Sequence, residues 1–128
     1  MVKKILSYDE LMKCFIDGIE KTKDVDYSDK ESVKRNNKGV DEYRKAAKQI
    51  GELYPERVED FSVLLNVDDA NIRVCCAICM IELMTCTYEQ CNRAFSVVSD
   101  YYNVYADSTE KLMIGVWLQK YKNIKQCN

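Results

Sequence analysis

Hydrophobic residues recur at three- and four-residue steps along most of the chain, which is the spacing of one face of an α-helix. The pattern predicts six helices, at about residues 8–23, 29–54, a short segment after Pro55, 70–84, 88–105 and 109–122. No stretch shows the apolar–polar alternation of a half-buried strand. One proline and four glycines also fit helices joined by short loops. We therefore expect an all-α fold.

Each predicted helix has an apolar stripe that should face the core. In the second helix Asn36, Asn37 and Gly39 interrupt the stripe, which allows a kink or a break there. In the last helix the expected core-facing residues are Leu112, Met113, Val116, Trp117 and Tyr121.

The fourth helix is the most apolar segment of the chain. From Val74 to Leu83 its only charged residue is Glu82, so we expect the helix to be covered on nearly every side. Its small residues should let neighbouring helices approach closely; they are Cys75, Cys76, Ala77 and Cys79. This pattern predicts a central helix in a layered helical stack.

Helix starts are marked by the capping-box spacing, in which a side-chain acceptor precedes Glu or Gln by three residues. Such a pair lets each side chain accept a hydrogen bond from the other residue's free backbone N–H. Four segments have this spacing: Ser7–Glu10, Ser28–Glu31, Thr87–Gln90 and Asp107–Glu110.

The length of 128 residues fits a single domain, 1–128, in which the polar segment 123–128 should fray. The longest nearly apolar run, residues 74–81, is too short to span a bilayer, and no signal-peptide core follows the first lysines. A cytoplasmic protein with no membrane partner is the expectation. The net charge is −2, but residues 56–110 carry three arginines against ten acids, or −7. That imbalance disfavours nucleic acid and favours a basic protein as partner.

Residue chemistry argues against catalysis and against a bound cofactor. The chain has no histidine, which removes the commonest general base and metal ligand. Seven cysteines are an odd number, and without a secretory signal we expect reduced thiols. Cys76 and Cys79 would lie inside an apolar helix, where packing is favoured over a metal site. We predict no catalytic, cofactor-binding or metal-binding residues.

The segment from Asp69 to Leu83 resembles the second helix of a HEAT-type repeat. The likeness rests on a capping Asp69, the aliphatic–Arg pair Ile72-Arg73, and small residues at Ala77 and Cys79. Residues 30–120 are also similar to a small bacterial HEAT-like family, through Asn37-Lys38 and a closing helix with a Leu-X-X-Trp-like pattern. The resemblance implies a HEAT-like stack of helical hairpins. Some members of such families are immunity proteins that neutralise a co-encoded toxin.

Tyrosines and acids supply the candidate binding residues. Tyr101 and Tyr102 are about 100° apart on a helix, so the group that they form with Tyr105 cannot all face the core. We expect a partner-binding patch of Glu82, Glu89, Asp100, Tyr102 and Tyr105.

Three functions stay open from the sequence. The first is a non-catalytic immunity protein that occludes a cationic toxin, such as a nuclease. The second is a HEAT-like adaptor or regulatory scaffold for another protein. The third is a metal or redox regulator built on the cysteines. The sequence does not set the oligomeric state.

Overall fold

The computed structural model describes the backbone of residues 5–127 and the side chains of residues 5–122. Over this range it has helices and no strand, which confirms the predicted all-α class. The α-helices are α1 (Tyr8–Lys21), α2 (Lys30–Leu53), α3 (Val58–Phe61), α4 (Ala70–Leu83), α5 (Tyr88–Val104) and α6 (Ser108–Cys127). Short 3-10 turns, Pro55–Arg57 and Ser62–Asn66, flank α3. The predicted fraying of residues 123–128 lies outside the described side chains.

Helices α1 and α2 form an antiparallel hairpin. Gly18 meets Gly39 near one end of the hairpin, and the ring of Tyr8 packs edge-on against Tyr54 near the other. The interruption around Gly39 does not break α2, which is continuous through it. Gly39 instead gives α1 room to approach. The break that the sequence allowed there is therefore absent, and the position serves a close helix crossing.

Helix α4 occupies the centre of the molecule. It packs against α2, against α5, and against the 3-10 turn Ser62–Asn66, while α6 packs against α5. No residue from 72 to 84 is classed as exposed, as its apolar sequence predicted. Its cysteines Cys76 and Cys79 are fully buried, and Phe15 stacks edge-on against Phe61 in the same core.

Three of the four predicted capping boxes are present. Both reciprocal hydrogen bonds form in Ser7–Glu10, in Thr87–Gln90 and in Asp107–Glu110. The prediction for Ser28–Glu31 is wrong, because α2 is capped by Asp29, whose carboxylate accepts from the N–H of Glu31 at 3.0 Å. The Ser28 hydroxyl donates to Asp26 instead, within the loop before the helix.

None of the helices described here combines the length and the apolar content needed to cross a bilayer.

Candidate protein-binding surface

Helix α6 is apolar on two sides. One side carries Ile114, Trp117 and Leu118, which pack against the core. The other side carries Leu112, Met113 and Val116, which are 75%, 68% and 71% exposed. At about 100° per residue, Leu112 lies about 140° and Val116 about 100° around the helix from Trp117. The prediction that Leu112, Met113 and Val116 face the core is wrong, because among the described residues α6 packs against the core through its Ile114, Trp117 and Leu118 side.

We call Leu112, Met113 and Val116 the α6 stripe. Single exposed apolar side chains are ordinary on soluble proteins, but neighbouring ones on one helix face form a patch suited to a partner. Val104 and Tyr105, which precede α6, are also exposed, at 65% and 51%. The C-terminal side of the molecule therefore presents apolar surface that the described residues do not cover.

A groove of about 830 Å³ opens beside the α6 stripe. Its walls come from the loop after α1, from α2, from α4 and from the first turns of α6. Met113 belongs to both the groove and the stripe, so the two surfaces are continuous. The groove is lined by Thr22, Val25, Tyr27, Asn36, Tyr43, Asn71, Val74, Cys75, Tyr101, Asp107, Thr109, Glu110 and Met113.

The charges of the groove are negative. Asp107 and Glu110 line it, and no lysine or arginine is among the described residues that do so. Glu110 is held in place, because the Tyr101 hydroxyl donates to its Oε2 at 2.6 Å and the Asp107 backbone N–H donates to its Oε1 at 3.2 Å. Burial, together with the bond to Glu110, raises the pKa of Tyr101, which keeps this hydroxyl protonated as a donor.

The nearby cations are engaged elsewhere. Arg73 donates to the carbonyl oxygens of Val67 and Asp68 at 2.7 and 2.9 Å. The Lys23 ammonium pairs with Glu20 and Asp69. Lys111 lies over the ring of Tyr102, with its Nζ 5.7 Å from the ring centroid. The acids of the groove therefore have no cationic partner among these neighbours.

Glu82, one of the predicted binding residues, is engaged inside the chain. Its Oε1 accepts from Arg44 Nη2 at 2.7 Å, and its Oε2 accepts from the indole N–H of Trp117 at 2.6 Å. Only 20% of its side chain is exposed. Glu82 thus crosslinks α2, α4 and α6 and is not a free surface charge.

The other predicted binding residues are not brought together as one patch. Glu89 and Asp100 share the outer face of α5, where Glu89 is 3.5 Å from Arg93 Nε. Tyr102 faces α6, where its Cε2 lies 3.6 Å from where a Cβ on Gly115 would be. Asp100 and Tyr105 do share a shallow cleft with Arg73, whose guanidinium lies 5.5 Å from the centre of the Tyr105 ring.

The mid-chain thiols are shielded. Burial raises the pKa of Cys75 to about 11 and that of Cys86 to about 12, and it raises the pKa values of Cys76 and Cys79 as well. A thiol in this state is a poor nucleophile and a poor metal ligand. Within the described part of the chain, no three Cys, Asp or Glu side chains converge as a metal site would require.

Several groove residues were missed at the sequence level. Tyr27 is 78% exposed in the polar loop between α1 and α2, and an aromatic residue in such a loop was an available signal. The pairing of Tyr101 with Glu110 joins residues on two helices and had no local signature. Comparison with known proteins adds no assignment, since no family model, no curated protein and no solved structure matches this chain.

Proposed function

We propose that this chain is a non-catalytic protein-binding module of the immunity type, which occludes a cationic toxin in the bacterial cytoplasm. The observation that carries the proposal is the α6 stripe, three neighbouring apolar side chains that are each at least 68% exposed. The resemblance of residues 69–83 to a HEAT-type helix supports the same class of function. The absence of histidine supports a role without catalysis.

Burial of the α6 stripe would supply much of the binding free energy. Each side chain of this size contributes about 1.5–3 kcal/mol when it is removed from water. Tyr105, 51% exposed at the end of α5, is a large, amphipathic side chain, a residue type that is common at the centres of protein interfaces. An apolar centre with polar edges is the usual anatomy of such an interface.

The proposed partner is basic because the surface acids outnumber the available cations. Arg57 and Arg93 are paired with Asp60 and Glu59, and Arg73 is bonded to backbone carbonyls. These are the only three basic residues of the segment 56–110, which carries −7. Glu89 and Asp100 leave negative charge on the outer face of α5. Complementary charge of this kind accelerates association and disfavours wrong partners.

An adaptor or regulatory scaffold is the alternative role for the same surface. An immunity protein would inhibit its partner, whereas an adaptor would leave the partner's activity intact. A cysteine-based regulator has less support, because the Cys76 and Cys79 thiols of α4 are buried and their pKa values are raised.

The test uses charge placed on the α6 stripe. The partner is recovered by affinity purification from the native host and identified by mass spectrometry. Its dissociation constant is then measured with the wild type, with Leu112→Asp/Val116→Asp, and with Val63→Asp. Val63 is a matched control, since it is 63% exposed but lies in the 3-10 turn Ser62–Asn66.

We expect the double variant to bind at least about a hundredfold more weakly, since two buried apolar contacts are lost and two charges must be desolvated. Val63→Asp should bind like the wild type. Equal binding by all three proteins would reject the α6 stripe. If the partner is toxic when expressed alone and harmless when co-expressed, the role is immunity; if its activity is unchanged in the complex, the role is that of an adaptor.

A further inference from the structure

We infer that the groove between α2, α4 and α6 receives an arginine-containing basic segment of the protein partner. The inference rests on the proposed function and assigns a chemistry to the surface next to the α6 stripe. The groove is lined by three kinds of group, which are apolar side chains, tyrosine rings and carboxylates.

The groove has room for side chains of a partner. Its volume of about 830 Å³ admits several side chains, and its apolar lining includes Val25, Val74 and Met113. Tyr27 stands exposed at the rim, while Tyr43 and Tyr101 line the wall. A guanidinium group stacks on aromatic faces and is only weakly hydrated, so it enters such a site more readily than an ammonium group does.

The carboxylates supply the charge. Asp107 and Glu110 are fixed by their reciprocal capping bonds, and Glu110 is oriented further by the Tyr101 hydroxyl. A carboxylate has about four acceptor positions, so these bonds leave Glu110 able to accept from a guanidinium. A preoriented acceptor costs less entropy on binding than a mobile one.

Among the described residues, no lysine or arginine lines the groove. Lys23, Arg73 and Lys111 are held by other groups, as described above. A cation from the partner would therefore meet two carboxylates that no lysine or arginine lining the groove neutralises. A charge-assisted, bidentate contact with arginine is the strongest that a carboxylate can make with a side chain.

The experiment measures binding of a fluorescein-labelled, acetylated tetra-arginine amide at about 50 mM salt, where screening is modest. The matched probe is the tetra-citrulline peptide, which has nearly the same shape and no charge. The groove variant is Asp107→Asn/Glu110→Gln, which removes two charges and keeps side-chain acceptors for the helix cap and for Tyr101. The control Glu52→Gln/Glu56→Gln removes two charges from exposed residues outside the groove.

We expect saturable binding of tetra-arginine to the wild type and an affinity lower by about tenfold or more for the groove variant. The control should change affinity by less than about twofold. Tyr27→Ser, which alters an exposed side chain, should also weaken binding. Equal losses in groove variant and control, equal binding of citrulline, or no saturable binding would overturn the inference.

The two proposals can fail separately. If Leu112→Asp/Val116→Asp loses the cellular partner while the groove variant binds it normally, the proposed function stands and the groove inference fails. If the groove binds tetra-arginine but no variant of the α6 stripe affects a partner, the reverse holds. If the free wild type self-associates and the groove variant is monomeric in sedimentation, a second copy fills the groove and the inference is overturned.

Discussion

Gly18 and Gly39 face each other where α1 crosses α2, and neither position has room for a side chain. A Cβ atom on Gly18 would lie 2.7 Å from the carbonyl oxygen of Gly39 and 2.7 Å from the backbone nitrogen of Tyr43. Both neighbours are backbone atoms, which cannot rotate away. Helices α1 and α2 can approach this closely because Gly18 and Gly39 each carry a hydrogen atom where another residue would carry a side chain.

Gly18→Ala should lower the free energy of unfolding by about 1–3 kcal/mol, because the added methyl group forces the two helices apart. Gly115→Ala is the matched control within α6, where the added Cβ would meet only Tyr102 Cε2, at 3.6 Å. It should be neutral or stabilise by up to about 1 kcal/mol, as alanine favours the helix. Urea unfolding, followed by the fluorescence of the single tryptophan, gives the free energy of unfolding of both variants. Equal values for Gly18→Ala and Gly115→Ala would contradict the close crossing.

Glu82→Ala should destabilise the fold by about 1–3 kcal/mol, since it leaves Arg44 and the Trp117 indole N–H without their shared acceptor. The fluorescence of Trp117 in the folded protein should shift as its environment changes. Glu89→Ala is the control, because 83% of that side chain is exposed. Thermal and urea unfolding measure the stability of both variants, and a neutral Glu82→Ala would argue against the crosslink.

Stability should fall as the pH rises above about 9. The usual pKa of a cysteine is 9.0, and burial raises that of Cys75 to about 11 in the folded protein. Between these values the unfolded chain has lost the proton and the folded chain keeps it, so rising pH favours unfolding. The contribution of Cys75 to the free energy of unfolding is complete below about pH 9. It falls by about 1.4 kcal/mol per pH unit and is lost by about pH 11.

Urea unfolding at several pH values gives the slope. Cys75→Ala should show a shallower decline than the wild type between pH 9 and 11, because one titrating thiol is removed. Cys14→Ala is a comparison with a half-buried cysteine outside α4. If Cys75→Ala and the wild type lose stability in parallel, the thiol of Cys75 is not shielded.

Asp29→Ala should cost about 1 kcal/mol of stability, because it removes the acceptor that caps α2. Ser28→Ala should cost less, since the Ser28 hydroxyl bonds only within the preceding loop. Unfolding midpoints of the two variants decide between the observed cap and the one that the Ser28–Glu31 spacing predicted. A larger loss for Ser28→Ala would support the sequence-based cap.

Val116→Asn should leave the stability within about 0.5 kcal/mol of the wild type, because Val116 is 71% exposed. Val98→Ala, on α5, should cost at least about 1 kcal/mol, since that side chain is fully buried and its truncation leaves a cavity. Denaturant unfolding compares the two. A large loss for Val116→Asn would place the α6 stripe in the core, as the sequence pattern predicted.

The helices were predictable because their signals are local. Capping residues such as Thr87, the apolar spacing along α1 and the nearly unbroken apolar run of α4 depend on neighbours within a few positions. The outer side of α6 was not predictable in the same way. Periodicity shows that Leu112 and Val116 share a face, but whether another helix covers that face depends on how the whole chain packs.

The candidate site was harder to predict from the sequence than the helices were. Glu82 and Asp100 have the same charge in the sequence, yet one is enclosed by Arg44 and Trp117 while the other is exposed. That difference arises from residues 35 or more positions away along the chain. The groove beside Glu110 likewise exists only where α2, α4 and α6 meet, so no single segment indicates it.

The pairing of helices that follow one another in the chain, α1 with α2, α4 with α5 and α5 with α6, has a kinetic consequence. Most contacts join residues that are close together in the sequence, which gives a low contact order. Chains of this topology cross their folding barrier in microseconds to milliseconds. Newly made molecules would thus complete folding within about milliseconds, without waiting for distant segments of the chain to meet.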